Sequence, residues 1–264
     1  MNSICLSCIL YTRHNVPVEQ NQYIQVFIMW LTQIVKINAL QANDILHITV
    51  DKPTYYYMQS HYTSFKILMS KINHALFIEP SPKTNLEGWM WKFIPRNYSQ
   101  DVYLYLDIDI FILKPLVHLV QNIQPNQIYA CCEGNMTHPN YNAAFPESVR
   151  TQFTVDEPGY SVGKFAITSI KMRDLFFKEI NKICDNTVHY YCPEQAFYNV
   201  IIYGMRNTSI LNTDILCAPC ISFNGLFYKK DKTILFDCAG EPGNGLKHIE
   251  KYIDVLGLLA TDKL

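Results

Sequence analysis

The sequence predicts an α/β protein: a mostly parallel sheet flanked by helices, followed by a smaller mixed C-terminal half. Three observations carry this. Strand-like and helix-like segments alternate from Ser3 to Leu106. The run Val102-Tyr-Leu-Tyr-Leu106 is β-branched, aromatic and aliphatic throughout, as a strand buried on both faces requires. After Pro115 the alternation loosens, while 264 residues at 49% hydrophobic and 17% charged still suffice for one large α/β domain.

Taken in order, Ser3 to Tyr11 is the first strand. Its apolar run has no basic segment before it and no small-residue cleavage site after it, so it does not read as a secretory leader. Val18 to Leu40 is largely helix. Gln25, Gln33, Lys36 and Asn38 break its apolar surface too often for a bilayer span. Asp44 to Val50 is a second strand, Tyr55 to Ile72 a helix, and His74 to Glu79 a third strand closed by Pro80 and Pro82. Leu86 to Ile94 is a short helix before the Val102 strand. This β-α-β-α-β-α-β order implies parallel strands with helices on both faces, the Rossmann-like pattern of a nucleotide-binding half.

Beyond Pro115, Gln127 to Cys132 and Tyr160 to Ser169 read as strands, and Ile170 to Ile183 as a helix. Met136 to Glu157 has several Asn and Pro residues and no period, so a mobile loop, a lid or acceptor-contacting segment, is expected there. Pro193 suits the first position of a helix running Glu194 to Tyr203. Ser209 to Leu216 is expected as a strand and Lys247 to Leu259 as the last helix. No linker or repeat divides the chain, so one domain is expected over 1–264, built from halves 1–115 and 116–264.

The net charge of −1 gives no electrostatic basis for a nucleic-acid partner. Nine cysteines include two CxxC spacings, Cys5 with Cys8 and Cys217 with Cys220. A zinc site drawn from both is disfavoured, because residues three apart in a strand point to opposite faces. Reduced cysteines in a cytoplasmic protein without a membrane span are expected.

Asp107 and Asp109 follow directly on the Val102 strand. Carboxylates at the end of so apolar a segment need a metal or another cation to offset desolvation. In open α/β sheets ligands bind at that C-terminal strand edge. Paired hard oxygens there suit a divalent cation, Mn²⁺ or Mg²⁺, bridging to a nucleotide diphosphate. The glycines at 240, 243 and 245 would let backbone N–H groups approach phosphates, and Lys247 would add a cation at a helix start.

Four segments, in order, resemble the GT-A fold glycosyltransferases, closest to the retaining, glycogenin-like family 8. They are Leu104-Tyr-Leu-Asp-Ile-Asp-Ile-Phe-Ile-Leu-Lys114, Gly159-Tyr-Ser-Val-Gly-Lys-Phe-Ala-Ile167, Pro193-Glu-Gln-Ala-Phe-Tyr-Asn199 and Phe236-Asp-Cys-Ala-Gly-Glu-Pro-Gly-Asn-Gly-Leu-Lys247. The second is similar to an Asn-x-Gly-apolar sugar-binding strand, with Ser161 where Asn is usual. The fourth is similar to a His-x-x-Gly-x-x-Lys phosphate loop, with Asp237 for the His, Gly243 where Lys is usual, and the lysine delayed to Lys247.

The resemblance implies transfer of a sugar from a nucleotide-diphosphate donor, UDP-linked, to a glycan, protein or small-molecule acceptor. It implies Asp107, Asp109 and Asp237 as metal ligands, and Tyr11 and Thr12 beside base and ribose. Lys92 and Arg96 would meet the diphosphate, with Gly240, Gly243 and Lys247. Ser161 would touch the sugar, and Glu194 and Gln195 would act at the anomeric centre. Read from the residues alone, Glu194 and Gln195 also fit a helix cap, and Lys92 and Arg96 fit surface charge. Two other readings are a nucleotide-sugar-binding protein without transferase activity and a metal-dependent nucleotidyl- or phosphoryl-type enzyme. A phosphatase of the haloacid-dehalogenase type would place its Asp-x-Asp on the first strand. A pyrophosphorylase would need glycine in Tyr11-Thr-Arg-His-Asn-Val16, which has none.

Overall fold

The computed structural model describes residues 2–184, 192–213, 216, 220–222 (backbone) and 234–238. The first half runs β1 (Ile4–Leu10), α1 (Gln22–Lys36), β2 (Ile45–Asp51), α2 (Lys52–His61), α3 (Thr63–Met69), β3 (His74–Glu79), α4 (Asn85–Met90) and β4 (Val102–Leu106). The second half runs β5 (Ile110–Ile112), α5 (Val117–Val120), β6 (Ile128–Asn135), α6 (Pro139–Asn142), α7 (Glu147–Arg150), β7 (Pro158–Ile167), α8 (Ile170–Ile183), α9 (Pro193–Met205), β8 (Leu211–Asn212), β9 (Cys220–Ser222) and β10 (Leu235–Asp237).

A seven-stranded sheet has the order β3-β2-β1-β4-β7-β6-β8. β1 pairs in parallel with both β2 and β4, and β2 in parallel with β3. β7 turns the sheet antiparallel against β4 and β6. The chain winds outward from β1 to β3, then crosses back to lay β4 on β1's other edge. The crevice beyond the C-terminal ends of β1 and β4 is therefore the topological switch point. Tyr11 lies just past one strand and Asp107 just past the other.

Side chains of β1 alternate between two cores. Ile4, Leu6, Cys8 and Leu10 join Phe27, Trp30 and Leu31 of α1 on one face. Cys5 joins Tyr103, Tyr105, Phe165, Phe177 and Tyr198 on the other. Cys5 and Cys8 thus lie on opposite faces, as strand periodicity demands.

The helix expected over Tyr55 to Ile72 is two helices, broken at Tyr62, whose backbone is extended at φ −120° and ψ 91°. The break turns α3 so that Phe65 packs on Phe27 of α1, ring centroids 6.4 Å apart. The segment Met136 to Glu157 is a packed excursion rather than a structureless loop. Its ends are tied by Met136 N–H to Glu157 O at 2.8 Å. Phe145 and Phe153 meet each other and Tyr203 of α9 edge to face. Its two helices are one turn each, too short to show a period. Of the strand expected over Ser209 to Leu216, Leu211–Asn212 forms within the described residues. The glycines at 240, 243 and 245, Lys247 and the last helix lie outside them. Among the described residues no helix is long and apolar enough to cross a membrane.

Candidate active site

β4 ends in a tight turn that presents both aspartates. The Asp107 N–H donates to Gly163 O at 2.8 Å, and the Ile110 N–H to Asp107 O at 3.0 Å. The Asp109 carbonyl accepts from Cys238 N–H at 2.9 Å, just past β10. Asp107 Oδ1 accepts from the Tyr105 hydroxyl at 2.6 Å. Asp107 Oδ2 lies over Gly163, where an added Cβ would come within 2.7 Å of it. Gly163 is thus a glycine because the carboxylate occupies the space a side chain would fill.

The turn faces an open cleft of about 140 Å³. Asp107, Asp109, Lys92, Glu194, Tyr11 and Arg13 line it, with Tyr23 and Trp89 beside them. The Tyr11 ring packs on Gly88, where an added Cβ would lie 2.4 Å from the ring, and meets Trp91 edge-on at 5.6 Å. The Lys92 side chain is 2% exposed. Its Nζ stands 3.6 Å from Asp107 Oδ1 and 3.8 Å from Glu194 Oε1, over the Tyr105 ring at 5.3 Å. Glu194, in the first turn of α9, is buried, and its Oε2 has no hydrogen-bond partner among the described residues. Burial raises the Glu194 carboxyl's pKa, opposed first by the Lys92 ammonium. Gln195 accepts the Val162 N–H at 3.3 Å through Oε1. Asn199, four residues on, clamps α9 to β7: its Oδ1 accepts from Tyr160 N–H, and its Nδ2 donates to Tyr160 O, both at 2.8 Å.

A second charge cluster lies behind the same turn. Lys164 of β7 is in direct contact with Asp237 Oδ2, both side chains 2% exposed. Glu133 Oε1 lies 3.4 Å from the same ammonium. Asp109 is squeezed between these groups. Burial, and then the charges of Asp107 and Asp237, push its carboxyl up to about 8, with Lys164 opposing. Asp107 and Asp109 therefore suit a divalent cation: hard oxygens on a turn with more negative charge than its surroundings offset. The Asp237 carboxylate is held by Lys164, and among the described residues no group of three His, Cys, Asp or Glu side chains is placed to hold a metal.

No protein-family model matches the chain. No curated protein matches it by sequence. Solved structures do match by shape. Mouse xyloside xylosyltransferase 1 superposes with TM-score 0.54 at 11% identity, over 91% of this chain and 98% of that one. The galactosyltransferase LgtC, solved with donor and acceptor sugar analogues, gives 0.56 at 10% identity, over 98% and 97%. The bifunctional glycosyltransferase WbbM gives 0.56 at 13% identity, over 97% of this chain and 51% of its own. The fold is GT-A.

Within this GT-A fold, the cleft brings together Asp107, Asp109, Lys92, Glu194 and Tyr11 of the residues the sequence points to. Gln195 adjoins it on the same helix turn. Three candidates are turned elsewhere. Thr12 points inward: its Oγ1 lies 2.7 Å from Thr54 Oγ1 and accepts from Asn21 at 3.0 Å, because its N–H is drawn to Asp51 at 3.2 Å. Arg96 pairs with Glu79 and stacks over Phe77 at 4.5 Å. Asp237 faces Lys164. Ser161 is buried in β7, its hydroxyl toward Gly163 N–H at 3.3 Å and Glu133. Gly240, Gly243 and Lys247 lie outside the described residues. Sequence reasoning missed Arg13, Trp89, Glu133 and Lys164. For Lys164 there was a signal: it stands alone as a cation in an apolar strand, at the apolar position of the Asn-x-Gly-apolar pattern.

Proposed function

We propose that the chain is a glycosyltransferase moving a sugar from a UDP-linked donor to an acceptor hydroxyl, of the retaining family 8 type. The observation that carries this is the carboxylate pair Asp107 and Asp109 at the switch point, facing a cleft that also holds buried Lys92 and Glu194. Asp107 and Asp109 would hold Mn²⁺ or Mg²⁺, which would supply positive charge for the leaving diphosphate.

The chain's own residues do the rest. Tyr11, Arg13, Tyr23 and Trp89 offer aromatic faces and a cation at the β1 end, where a base and ribose would lie. Lys92 is the cation between the phosphate end and Glu194. The unpartnered Glu194 Oε2 asks for a donor, and a sugar hydroxyl or the developing positive charge of the transferred sugar supplies it. With Gln195 Oε1 occupied by Val162 N–H, its amide nitrogen is the end that donates to the sugar.

The test is a panel of UDP-sugars with acceptor sugars, read as free UDP. Wild type should release UDP from one donor, and Asp107→Asn should lower the rate by about a hundredfold or more. UDP-sugar binding without release from any donor favours a binding protein, and binding of no donor contradicts the reading.

A further inference from the structure

The buried lysine behind the turn has a job that the transferase reading leaves unassigned. Lys164 lies opposite Leu106 in the register of β7 on β4, so its side chain emerges one residue before Asp107. Asp237 lies opposite Ile110 in the register of β10 on β5, one residue after Asp109. The two meet beneath the Asp107–Asp109 turn, each 2% exposed, with Glu133 Oε1 3.4 Å from the ammonium. A buried charge is tolerated only when paired, so each holds the other in place. A divalent ion that recruited Asp237 would have to strip it from Lys164. It would then sit close to an ammonium in a low-dielectric interior, where like charges repel strongly.

Resting on the transferase reading, we propose that Lys164 is the built-in counter-ion of Asp237. The divalent cation is then held by Asp107 and Asp109, and its shell is completed by donor phosphates rather than by Asp237. Two consequences follow from the charge count. The free protein holds the metal weakly, with nucleotide and metal each tightening the other. Lys164 also keeps positive charge beside the turn in every state, so Asp237 adds no net negative charge to the metal.

The probe is Mn²⁺ itself, titrated with and without UDP and followed by the electron paramagnetic resonance signal of the free ion. Wild type, Asp237→Asn, Lys164→Met and the double variant are compared. The double variant, which removes both charges of the pair, should bind Mn²⁺ within about threefold of wild type. Lys164→Met, which removes the ammonium that Asp237 contacts, should bind it about tenfold tighter without UDP, and Asp237→Asn, which leaves that ammonium beside the turn, more weakly. A loss of about tenfold or more in the double variant overturns the proposal. Should Lys164→Met fail to fold, the comparison of the double variant with wild type still decides. UDP failing to bind while that Mn²⁺ ratio stays near one sinks the transferase reading and supports the pairing of Asp237 with Lys164.

Discussion

Lys92 and Lys164 are both 2% exposed and both pair with carboxylates near the Asp107–Asp109 turn, Lys92 with Asp107 and Glu194, Lys164 with Asp237 and Glu133. Lys92 lines the cleft and is shared between Asp107 and Glu194 at 3.6 and 3.8 Å, beyond direct hydrogen-bond contact. Lys164 is in contact with Asp237 and does not line the cleft. The loose pair can re-aim its ammonium at an incoming phosphate without losing a hydrogen bond. The tight pair cannot. The same residue type, equally buried, is poised for a ligand in one place and committed to the fold in the other.

The two lysines should therefore fail differently. Lys92→Met should cost turnover, by about a hundredfold, through lost charge at the diphosphate. Its stability loss should be smaller, since Asp107 is 35% exposed and water screens it, while the buried Glu194 carboxyl, its pKa already raised by burial, can take up a proton. Lys164→Met removes the buried ammonium that Asp237 contacts, and should cost about 3–5 kcal/mol of stability. Steady-state kinetics and denaturant melts on the two variants separate these effects. If Lys92→Met is chiefly unstable and Lys164→Met chiefly slow, the contrast is reversed.

Glu194→Gln sharpens the cleft side. Its loss of charge should lower kcat by about tenfold or more while leaving the melting temperature level or higher, because a buried carboxylate oxygen without a partner is costly. A fall in melting temperature with normal kcat would make Glu194 a helix-start residue only. Gly163→Ala should have a smaller effect. Its methyl displaces Asp107 Oδ2, so turnover should drop about tenfold with an intact fold. Unchanged turnover would mean that the position of that oxygen does not matter.

Away from the site, His47 should change stability alone. Burial, and then the charges of Arg173 and Arg96, pull its pKa from 6.5 down to about 4. The unfolded chain therefore takes up the proton first as pH falls, and stability present above pH 6.5 is lost progressively down to about 4. His47→Phe should flatten that slope in acid melts without touching transfer. An unchanged slope would place the acid sensitivity elsewhere.

The first half of the fold was legible because it is built from long periodic segments. His74–Glu79 and Val102–Leu106 form over the residues their patterns indicate, as does Ile170–Ile183 in the second half. β5 was not legible: three apolar residues acquire strand character only by pairing with β10, far along the chain. At the site, Asp107 and Asp109 stood out because acids after an apolar strand are costly without a cation. Thr12 and Arg96 were placed by position alone, and side-chain direction depends on partners such as Thr54, Asn21 and Glu79 that local pattern does not reveal. Lys164 and Asp237 could each be noticed, but their contact joins β7 to β10 and exists only in the folded chain.

The central claim is that the β1–β4 crevice binds a nucleoside diphosphate together with a divalent cation on Asp107 and Asp109. Calorimetric titration of UDP into wild type and Asp109→Asn, with and without Mn²⁺, tests it most directly. Mn²⁺ should tighten UDP binding to wild type by about tenfold or more and leave Asp109→Asn unaffected. UDP binding of equal strength in all four titrations, or none in any, would contradict it.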